Sequence, residues 1–591
     1  MIPPGQQESQ RRKRVGGFVR LLPFAREPKS LQGDSVDQRP LEGLQRSYPA
    51  LMLPEDSDAS QPKLTFPSVH VIPPSAVDNW PIDQQPTLII PVIPKSLSQS
   101  PVSEKEGYVS LASNLIKSSG IYALASLASP VVSLVLAPFL TRNLSHTDYG
   151  ALAVLNTTIS LMTGITQLGL GSAFFRSYSY DYETQRDKLT VLSSVVLLLT
   201  CISVLTVIVV LLSSSWLASL LVNSAVFGNA IAVAVIVVLL QNLSVPGFSW
   251  LRAEKRPTFF TVLSITNLLV SLAATIIFVG VLHMGVVGAL LAIGGGYGAV
   301  VLGTLPLILY RAGLRIRLDI VKGLLSFGLP NAASFISIWI LQLSDRYLLS
   351  YFGSLAQTAG YSVAYSLGGV LATVIISPFS LAWPAAMYSI AKQDDAAQAF
   401  RTVFRWFSFI LLFAAYGFSL IGIGTLHLFF PVSYYSSSPV IPIIAVSILF
   451  YGLHLFLTVG IAIRRKTWLV VILTMTAAIT NILLNIFLIP HYGAMGAAWS
   501  TLLAYAMLAV ITLIVNQRIY PIPFDIDLFV VALLIGITLA LGCILLTHTW
   551  SSLWSGVTHV CALCLYGGIL VLMAKHPRRA QKKNTAMRRR K

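Results

Sequence analysis

Charged residues are scarce in this chain. Asp, Glu, Lys and Arg make up 11% of its 591 residues, whereas apolar residues make up 55%. An average soluble protein carries roughly a quarter charged residues, so this composition could not cover a water-facing surface of the size required. The scarcity of charge therefore excludes a soluble globular protein, including a soluble all-α one.

Cysteine is also rare, with four residues in the chain: Cys201, Cys543, Cys561 and Cys564. All four lie inside long apolar runs. The last two form a C-x-x-C pair, but neither a second pair nor a water-facing ligand accompanies them, so we interpret them as small apolar side chains. The sequence thus predicts no metal site and no cofactor.

What the chain does contain is a series of long runs without Asp, Glu, Lys or Arg. One helical crossing of a bilayer needs about 20 apolar residues, so five runs are long enough for two crossings and four for one. Because a backbone in lipid must satisfy its own hydrogen bonds, all fourteen predicted spans are read as helices. The runs are 118–141, 149–175, 189–251, 257–310, 323–344, 347–391, 406–463, 467–517 and 528–574.

The sequence therefore predicts an all-α polytopic membrane protein with charged or Pro-rich segments around the spans. Residues 1–106 hold 16 of the 31 prolines and too little apolar surface to offset the entropy of ordering, which predicts a disordered cytoplasmic tail. No cleaved signal peptide is expected there. The other predicted parts are an interfacial helix (107–117), a first six-helix bundle (118–310), a second bundle (323–516), an extra helix pair (528–574) and a basic tail (575–591).

The net charge of +18 would favour nucleic acid as the partner of a soluble protein, but here it indicates topology, and no nucleic-acid partner is expected. If the N-terminus is cytoplasmic, the even-numbered connections between spans carry seventeen Lys and Arg residues, and the odd-numbered ones carry two, Arg142 and Arg346. Because cytoplasmic loops concentrate Lys and Arg, both termini are predicted to face the cytoplasm, in a cytoplasmic membrane.

Two halves of the chain resemble each other. A T-N-x-L motif and an H-x-G-x-x-G-A motif each occur twice, and an arginine ends the first and the seventh predicted span. The matches pair 266–269 with 480–483, 283–289 with 491–497, and Arg142 with Arg346, at offsets of 214, 208 and 204. Spans 1–6 are therefore predicted to repeat as spans 7–12. Such a duplication is typical of transporters that rock two bundles around a central site.

Several short motifs resemble the multidrug, oligosaccharidyl-lipid and polysaccharide (MOP) flippase superfamily, and its polysaccharide-export branch in particular. They are APFLTRNLSHTDYGALAV from Ala137, QLGLGSAFFR at 167–176, LRAEKR at 251–256, FGLP at 327–330, and SDR at 344–346 with GY at 360–361. The resemblance covers roughly residues 110–520. It implies a flippase, not an enzyme, that moves a polyprenyl-diphosphate-linked oligosaccharide by alternating access. Lipids and other glycan-assembly membrane proteins would be its partners.

A diphosphate cargo calls for cationic side chains along its path, and arginine suits it because a guanidinium can donate two parallel hydrogen bonds. Charge within hydrocarbon is costly and usually functional, but the predicted span centres contain none. The substrate-binding candidates therefore lie at span ends: Lys117, Arg142, Arg176, Asp345 and Arg346. The alternative is that they anchor the spans at the interface, with Asp148 balancing Arg142 and Asp345 balancing Arg346.

Uncharged polar residues are frequent within the predicted spans. Asn, Gln and Tyr could line a path for sugars, or could form hydrogen bonds between helices. For the repeat-related Asn267 and Asn481 we favour helix packing, and we place Asn331 with them; Pro330 could supply a kink.

Three alternatives are weighed against a flippase. A drug or small-solute exporter of the same fold would be expected to have acidic residues within its spans, and the sequence has none. A major-facilitator transporter would carry a Gly- and Asp-rich basic motif between spans 2 and 3, where this chain reads FFRSYSYDYETQRDKLT. A membrane glycosyltransferase or polymerase would need carboxylates or histidines gathered outside the membrane, where the predicted connections are short and Asp148 and Asp345 are their only acids.

Overall fold

The structure is a computed structural model that describes residues 136–221, 224–547 and 552–575. Within these ranges every regular element is a helix, so the predicted all-α class is confirmed for this part of the chain. The predicted tail 1–106, the interfacial helix 107–117 with Lys117, most of the first span and the tail after Lys575 lie outside the described residues.

The first half of the described chain begins with a helical segment, α1, at residues 136–143. Ser145 and Thr184 cap the second and fourth helices, since their hydroxyls accept hydrogen bonds from the backbone N–H groups of Asp148 and Asp187. The helices that follow α1 are α2 (His146–Thr166), α3 (Leu170–Arg176), α4 (Gln185–Leu212), α5 (Ser214–Leu221), α6 (Gly228–Ala253), α7 (Pro257–Thr275) and α8 (Gly285–Ala312).

The second half contains longer and more irregular helices. A π-helical turn (Ala372–Ile376) connects the helix that ends at Gly368 to the helix that begins at Ser377. The helices are α9 (Leu318–Phe352), α10 (Leu355–Gly368), α11 (Ser377–Ile390), α12 (Ala396–Phe429), α13 (Val440–Leu457), α14 (Val459–Ile463), α15 (Trp468–Ile519), α16 (Ile526–Thr547) and α17 (Ser552–Lys575).

Ten helices in the described ranges are long and apolar enough to cross a membrane, and there are twelve if each of two bent pairs counts as one span. The chain is thus a multi-pass membrane protein. Helix α15 has 52 residues, and its backbone is non-helical at Gly493 (φ 55°, ψ −131°). An unbroken helix of that length would measure about 78 Å, far more than the roughly 30 Å of a hydrocarbon core. The total of fourteen spans stays a prediction.

The last two helices are fixed to α12 by a buried ionic cluster. The Asp525 carboxylate, 3% exposed, accepts hydrogen bonds from the Nε atoms of Arg401 and Arg405, each at 2.7 Å. Arg405 also donates to the backbone carbonyl of Ala574, near the end of α17, at 3.3 Å. A buried carboxylate is tolerated where such paired hydrogen bonds replace its hydration. The cluster therefore holds the appended pair against the second half.

Two turns that are 210 residues apart share one backbone geometry. Lys255, after α6, and Arg465, after α14, both have positive φ (53° and 57°). In each turn this residue donates a hydrogen bond to the carbonyl three residues back, and the next residue donates to the carbonyl five residues back. This is the Schellman pattern that ends many helices. The two halves thus contain one local structure at the offset expected for the predicted repeat.

Helix α2 packs against both α9 and α10, and so joins the two halves of the described chain. Close approach requires small residues here. A Cβ atom on Gly150 would overlap the carbonyl oxygen of Leu355 at the start of α10, and a Cβ on Gly164 would overlap the Phe335 ring of α9. The cavity described next opens beside this contact.

Candidate functional site: a polar cavity along α2

A cavity of about 1060 Å³ extends along α2 and is lined mainly by the first half, from α1 to α8, with four residues from α9 and α10. On α2 and the residue that follows it, the lining runs from Tyr149 to Gln167. At 1.5 Å per helical residue this stretch spans about 27 Å, close to the roughly 30 Å thickness of a hydrocarbon core. The cavity therefore follows a membrane-spanning helix over most of its length.

The lining of this cavity is polar without being acidic. Four amide side chains reach it, from Asn156, Gln167, Gln241 and Asn267, together with many hydroxyl groups. The Thr163 hydroxyl donates to the Gln241 Oε1 atom at 2.8 Å. No Asp, Glu or His is among the described lining residues. Amides and hydroxyls can both donate and accept, which is the chemistry that matches sugar hydroxyl groups.

Arg346 reaches the cavity from α9, and its side chain is only 10% exposed. Its Nη1 atom donates to Asp345 Oδ1 at 3.1 Å and to the Gln342 carbonyl at 3.2 Å. The guanidinium carbon lies 4.5 Å from the ring centroid of Tyr365, and the Tyr361 hydroxyl donates to the Asp345 carboxylate. The guanidinium is therefore held against two aromatic rings and one carboxylate, beside the cavity.

A second guanidinium, that of Arg252 near the end of α6, also lines the cavity. Its Nη2 atom lies 3.5 Å from the hydroxyl of the buried Ser249. Along the chain, Arg252 lies beside the turn that follows α6, whereas Arg346 lies near the end of α9. From the sequence alone, Arg252 is one cation among several in a predicted connection, and only its place in the LRAEKR motif sets it apart.

Arg142 and Arg176 are not among the described lining residues of the cavity. Arg142 is exposed, and its Nη2 atom donates to the backbone carbonyl of Phe429 at 3.0 Å, which caps the C-terminus of α12. Arg176, half exposed, lies 3.5 Å from Asp181 and stacks over the Phe327 ring at 4.8 Å. Lys117 lies outside the described residues.

The structure separates the two asparagines that the predicted repeat pairs, Asn267 and Asn481. Asn267 lines the cavity, and it also leaves no room for a side chain at Gly296 of α8. Asn481 is buried within the second half, where its Oδ1 atom accepts a hydrogen bond from Asn485 at 3.0 Å. Asn267 can therefore contact a cargo as well as a neighbouring helix, whereas Asn481 contributes to packing within the second half.

Two bent helices cross beside one end of the cavity. The path from α2 to α3 bends by 42°, and α9 bends by 47° beyond Pro330, which interrupts the helical hydrogen bonding. The two bends contact each other through glycines: a Cβ on Gly169 would overlap the Gly328 carbonyl, and a Cβ on Gly328 would overlap the Leu168 carbonyl. Asn331 follows the bend in α9. Bent backbone from both halves thus meets beside one end of the cavity.

Comparison with known proteins gives a family match and several solved structures with a similar fold. Residues 115–387 match the model of a family described as polysaccharide biosynthesis protein. The solved structure titled "Lipid II flippase MurJ, inward closed conformation" superposes with a TM-score of 0.60 and 16% identity, covering 77% of this chain and 98% of that one. The chain has the fold of the MOP flippase superfamily. The predicted resemblance is thereby confirmed.

A second solved structure with this fold belongs to a protein of another functional class. It is titled "Inward-facing conformation of a multidrug resistance MATE family transporter of the MOP superfamily", and it superposes with a TM-score of 0.52 and 16% identity over 67% of this chain and 97% of that one. No curated protein sequence matches the chain significantly. At such identities the likeness establishes the fold, so the cargo has to be inferred from the cavity.

Proposed function

We propose that the protein is a flippase that moves a lipid-linked oligosaccharide, attached through a diphosphate to a polyprenyl chain, across the cytoplasmic membrane by alternating access. The observation that carries this proposal is the polar cavity, about 1060 Å³ in volume, with Arg252 and Arg346 in its lining. The protein makes no bond in this process. It only exchanges the hydration of a polar headgroup for protein hydrogen bonds.

Each part of the proposed cargo has a matching chemistry. Amides, hydroxyls and the rings of Tyr149 and Tyr297 suit the hydroxyl groups and apolar faces of sugars. Guanidinium groups suit a diphosphate because they donate paired, charge-assisted hydrogen bonds. Because charge within a membrane is costly, two arginines in one cavity support a functional role. The polyprenyl chain needs no such path, since it can remain in lipid.

The proposed motion uses two halves related by duplication, 118–310 and 323–516, with 528–574 as an added pair. The matched turns at Lys255 and Arg465 support the duplication. Two halves that enter the membrane from the same side are related by an axis along its normal, as in transporters that rock two bundles. Both termini are proposed to be cytoplasmic, because Lys and Arg concentrate on that side. Other glycan-assembly membrane proteins are its proposed partners.

The competing functions fit the cavity less well. An exporter of cationic drugs would be favoured by carboxylates facing the cavity, and the described lining residues include none. A glycosyltransferase or polymerase would be favoured by a carboxylate or a histidine beside the sugar as general acid or base, and the described lining residues include neither. The shared fold of the multidrug transporter keeps drug export as the main alternative to test.

The proposal predicts a specific deletion phenotype. Glycan assembly should continue to the complete membrane-bound unit, because the protein makes no bond. That unit should accumulate on the cytoplasmic face, where an added glycosidase cannot reach it, while surface polysaccharide disappears. Re-expression should restore both. Unchanged surface glycan with greater sensitivity to lipophilic cations would instead support drug export, and incomplete sugar units would support an enzyme.

A further inference from the structure

A second basic site lies away from the polar cavity, where the N-terminus of α4 meets the connection between α8 and α9. It is a pocket of about 460 Å³, which we call the arginine pocket. Three guanidinium groups line it, two of them from the connection and one from the first turn of α4. Its lining residues are Thr184, Arg186, Asp187, Thr190, Arg315, Ile316 and Arg317.

Hydrogen bonds and ion pairs join the backbone segments of this pocket. The buried Ser193 hydroxyl donates to the Gly313 carbonyl at 2.9 Å and accepts from the Arg315 N–H at 2.7 Å. Arg317 then bridges Asp187 of α4, at 2.7 Å, and Asp319 of α9, at 2.6 Å. The connection between the two halves is therefore fixed to α4, and its arginines project from a defined platform.

The arginine pocket has an excess of positive charge. Asp187 is already occupied, because it accepts hydrogen bonds from both Arg317 and the Thr184 hydroxyl. Within the described ranges, Arg186 and Arg315 have no carboxylate within 4.0 Å, and both are exposed. Two guanidinium groups thus remain available to an anion that enters the pocket.

Apolar side chains alternate with these arginines along the connection. Leu314 is 71% exposed, Ile316 55% and Leu318 73%. Three large aliphatic side chains within five residues are unfavourable in water, but they are typical of a segment at the boundary between headgroups and acyl chains. The connection therefore combines anion-binding groups with groups that enter lipid.

We propose that the arginine pocket binds the phosphate of an anionic membrane phospholipid, with Arg186 and Arg315 donating to the phosphate oxygens and the adjacent aliphatic side chains contacting the acyl chains. Phosphate is the shared chemistry of a lipid headgroup and a free ion, and the exposed aliphatic residues favour the lipid. The predicted cytoplasmic location agrees, because basic segments there are attracted to anionic lipid. This site is separate from the proposed flippase cavity and does not depend on its cargo.

The test measures lipid binding by the purified full-length protein in detergent. Fluorescent phosphatidylglycerol is titrated into the protein, and fluorescent phosphatidylcholine into a parallel sample, while anisotropy is recorded. The variant is Arg186→Gln/Arg315→Gln. The matched control is Lys392→Gln/Arg518→Gln, which removes the same charge at exposed positions outside the pocket. Melting temperatures establish that the variants are folded, and single substitutions replace a double variant that is not.

The arginine-pocket variant is expected to bind phosphatidylglycerol roughly tenfold more weakly, since it loses two charge-assisted contacts, while the control binds as the wild type does. Phosphatidylcholine should bind weakly to all. Equal phosphatidylglycerol binding by wild type and pocket variant would overturn the site, as would an equal loss in the control. Displacement of the lipid by millimolar inorganic phosphate, at matched ionic strength, would overturn the assignment to a lipid.

Discussion

At the scale of the residue, the pair Asp345 and Arg346 is the most constrained feature of the cavity. The two groups are buried together, and Tyr361 and Tyr365 complete their surroundings. Removing one member of a buried ion pair leaves an uncompensated charge and costs about 3–5 kcal/mol, whereas replacing both members can be nearly neutral. Loss of transport in a single variant would therefore report stability as well as substrate binding.

The account predicts that stability and transport can be separated at this pair. Arg346→Gln and Asp345→Asn should each lower the melting temperature of the purified protein. The double variant Asp345→Asn/Arg346→Gln should recover most of that loss, because no buried charge remains, but it should still transport poorly, because the guanidinium is absent. Arg176→Gln, at an exposed ion pair, should change neither measurement much. Full transport by the double variant would remove Arg346 from the binding site.

Sequence reasoning could find Arg346 because a charged residue at the end of an apolar run is conspicuous. It could not distinguish Arg346 from Arg142, which the predicted repeat pairs with it but which donates to a helix C-terminus. It missed Arg252 as a cavity residue, because a loop arginine resembles any other until the fold shows where its side chain lies. These distinctions depend on tertiary contacts.

At the scale of the element, the bends at Gly169 and beyond Pro330 are where the two halves touch beside the cavity. Alternating access requires that one end of a cavity opens while the other closes. Two bent helices in backbone contact suit such a closure, because the regular helical hydrogen bonding is already interrupted where a helix bends. We therefore expect this glycine contact to form and break during transport.

Alanine substitutions on α9 test that expectation. Gly328→Ala should reduce transport strongly, because its Cβ would overlap the Leu168 carbonyl and hold the bends apart. Gly323→Ala is the matched control, since nothing lies within 4 Å of a Cβ there. It should transport normally and be at least as stable as the wild type. Normal transport by folded Gly328→Ala would show that the contact does not take part in closure.

The positions of most helices could be predicted from the sequence, because charge-free runs mark them directly. The run 347–391 was predicted to cross once, and Leu355–Pro384 forms a single candidate span within it. The irregularities were harder to predict. The bend at Gly169 has no local signal beyond a glycine, and glycine is common here, with 40 residues. The break at Gly493 follows Pro490 within a run, 467–517, that is long enough for two spans, so the sequence indicates a break there but not the residue at which it falls. Packing against other helices determines which glycines bend.

At the scale of the whole molecule, the orientation in the membrane decides which end of the cavity meets the newly made cargo. The proposal places the turns after α6 and α14 in the cytoplasm, on the evidence of their Lys and Arg residues. Arg252 would then lie at the cytoplasmic end of the cavity and Arg346 toward the outer end. A headgroup would meet one guanidinium on entry and the other before release.

Cysteine accessibility tests this orientation. In a background without the four native cysteines, single cysteines at the exposed positions Ser215 and Ser436 should react with an impermeant thiol reagent in intact cells. Cysteines at Ser179 and Thr258, also exposed, should react only after permeabilisation. The opposite pattern at two or more positions would invert the topology and exchange the roles assigned to Arg252 and Arg346.

The central claim is that this chain moves a lipid-linked glycan, and reconstitution tests it most directly. Purified protein is placed in vesicles that carry a fluorescent polyprenyl-diphosphate oligosaccharide in both leaflets, and a membrane-impermeant quencher is added outside. The account predicts that wild-type vesicles lose nearly all fluorescence, because inner-leaflet molecules reach the outside, while Asp345→Asn/Arg346→Gln vesicles lose mainly the outer-leaflet share. Wild-type vesicles that quench no further than protein-free vesicles, yet accumulate a lipophilic cation, would contradict the account.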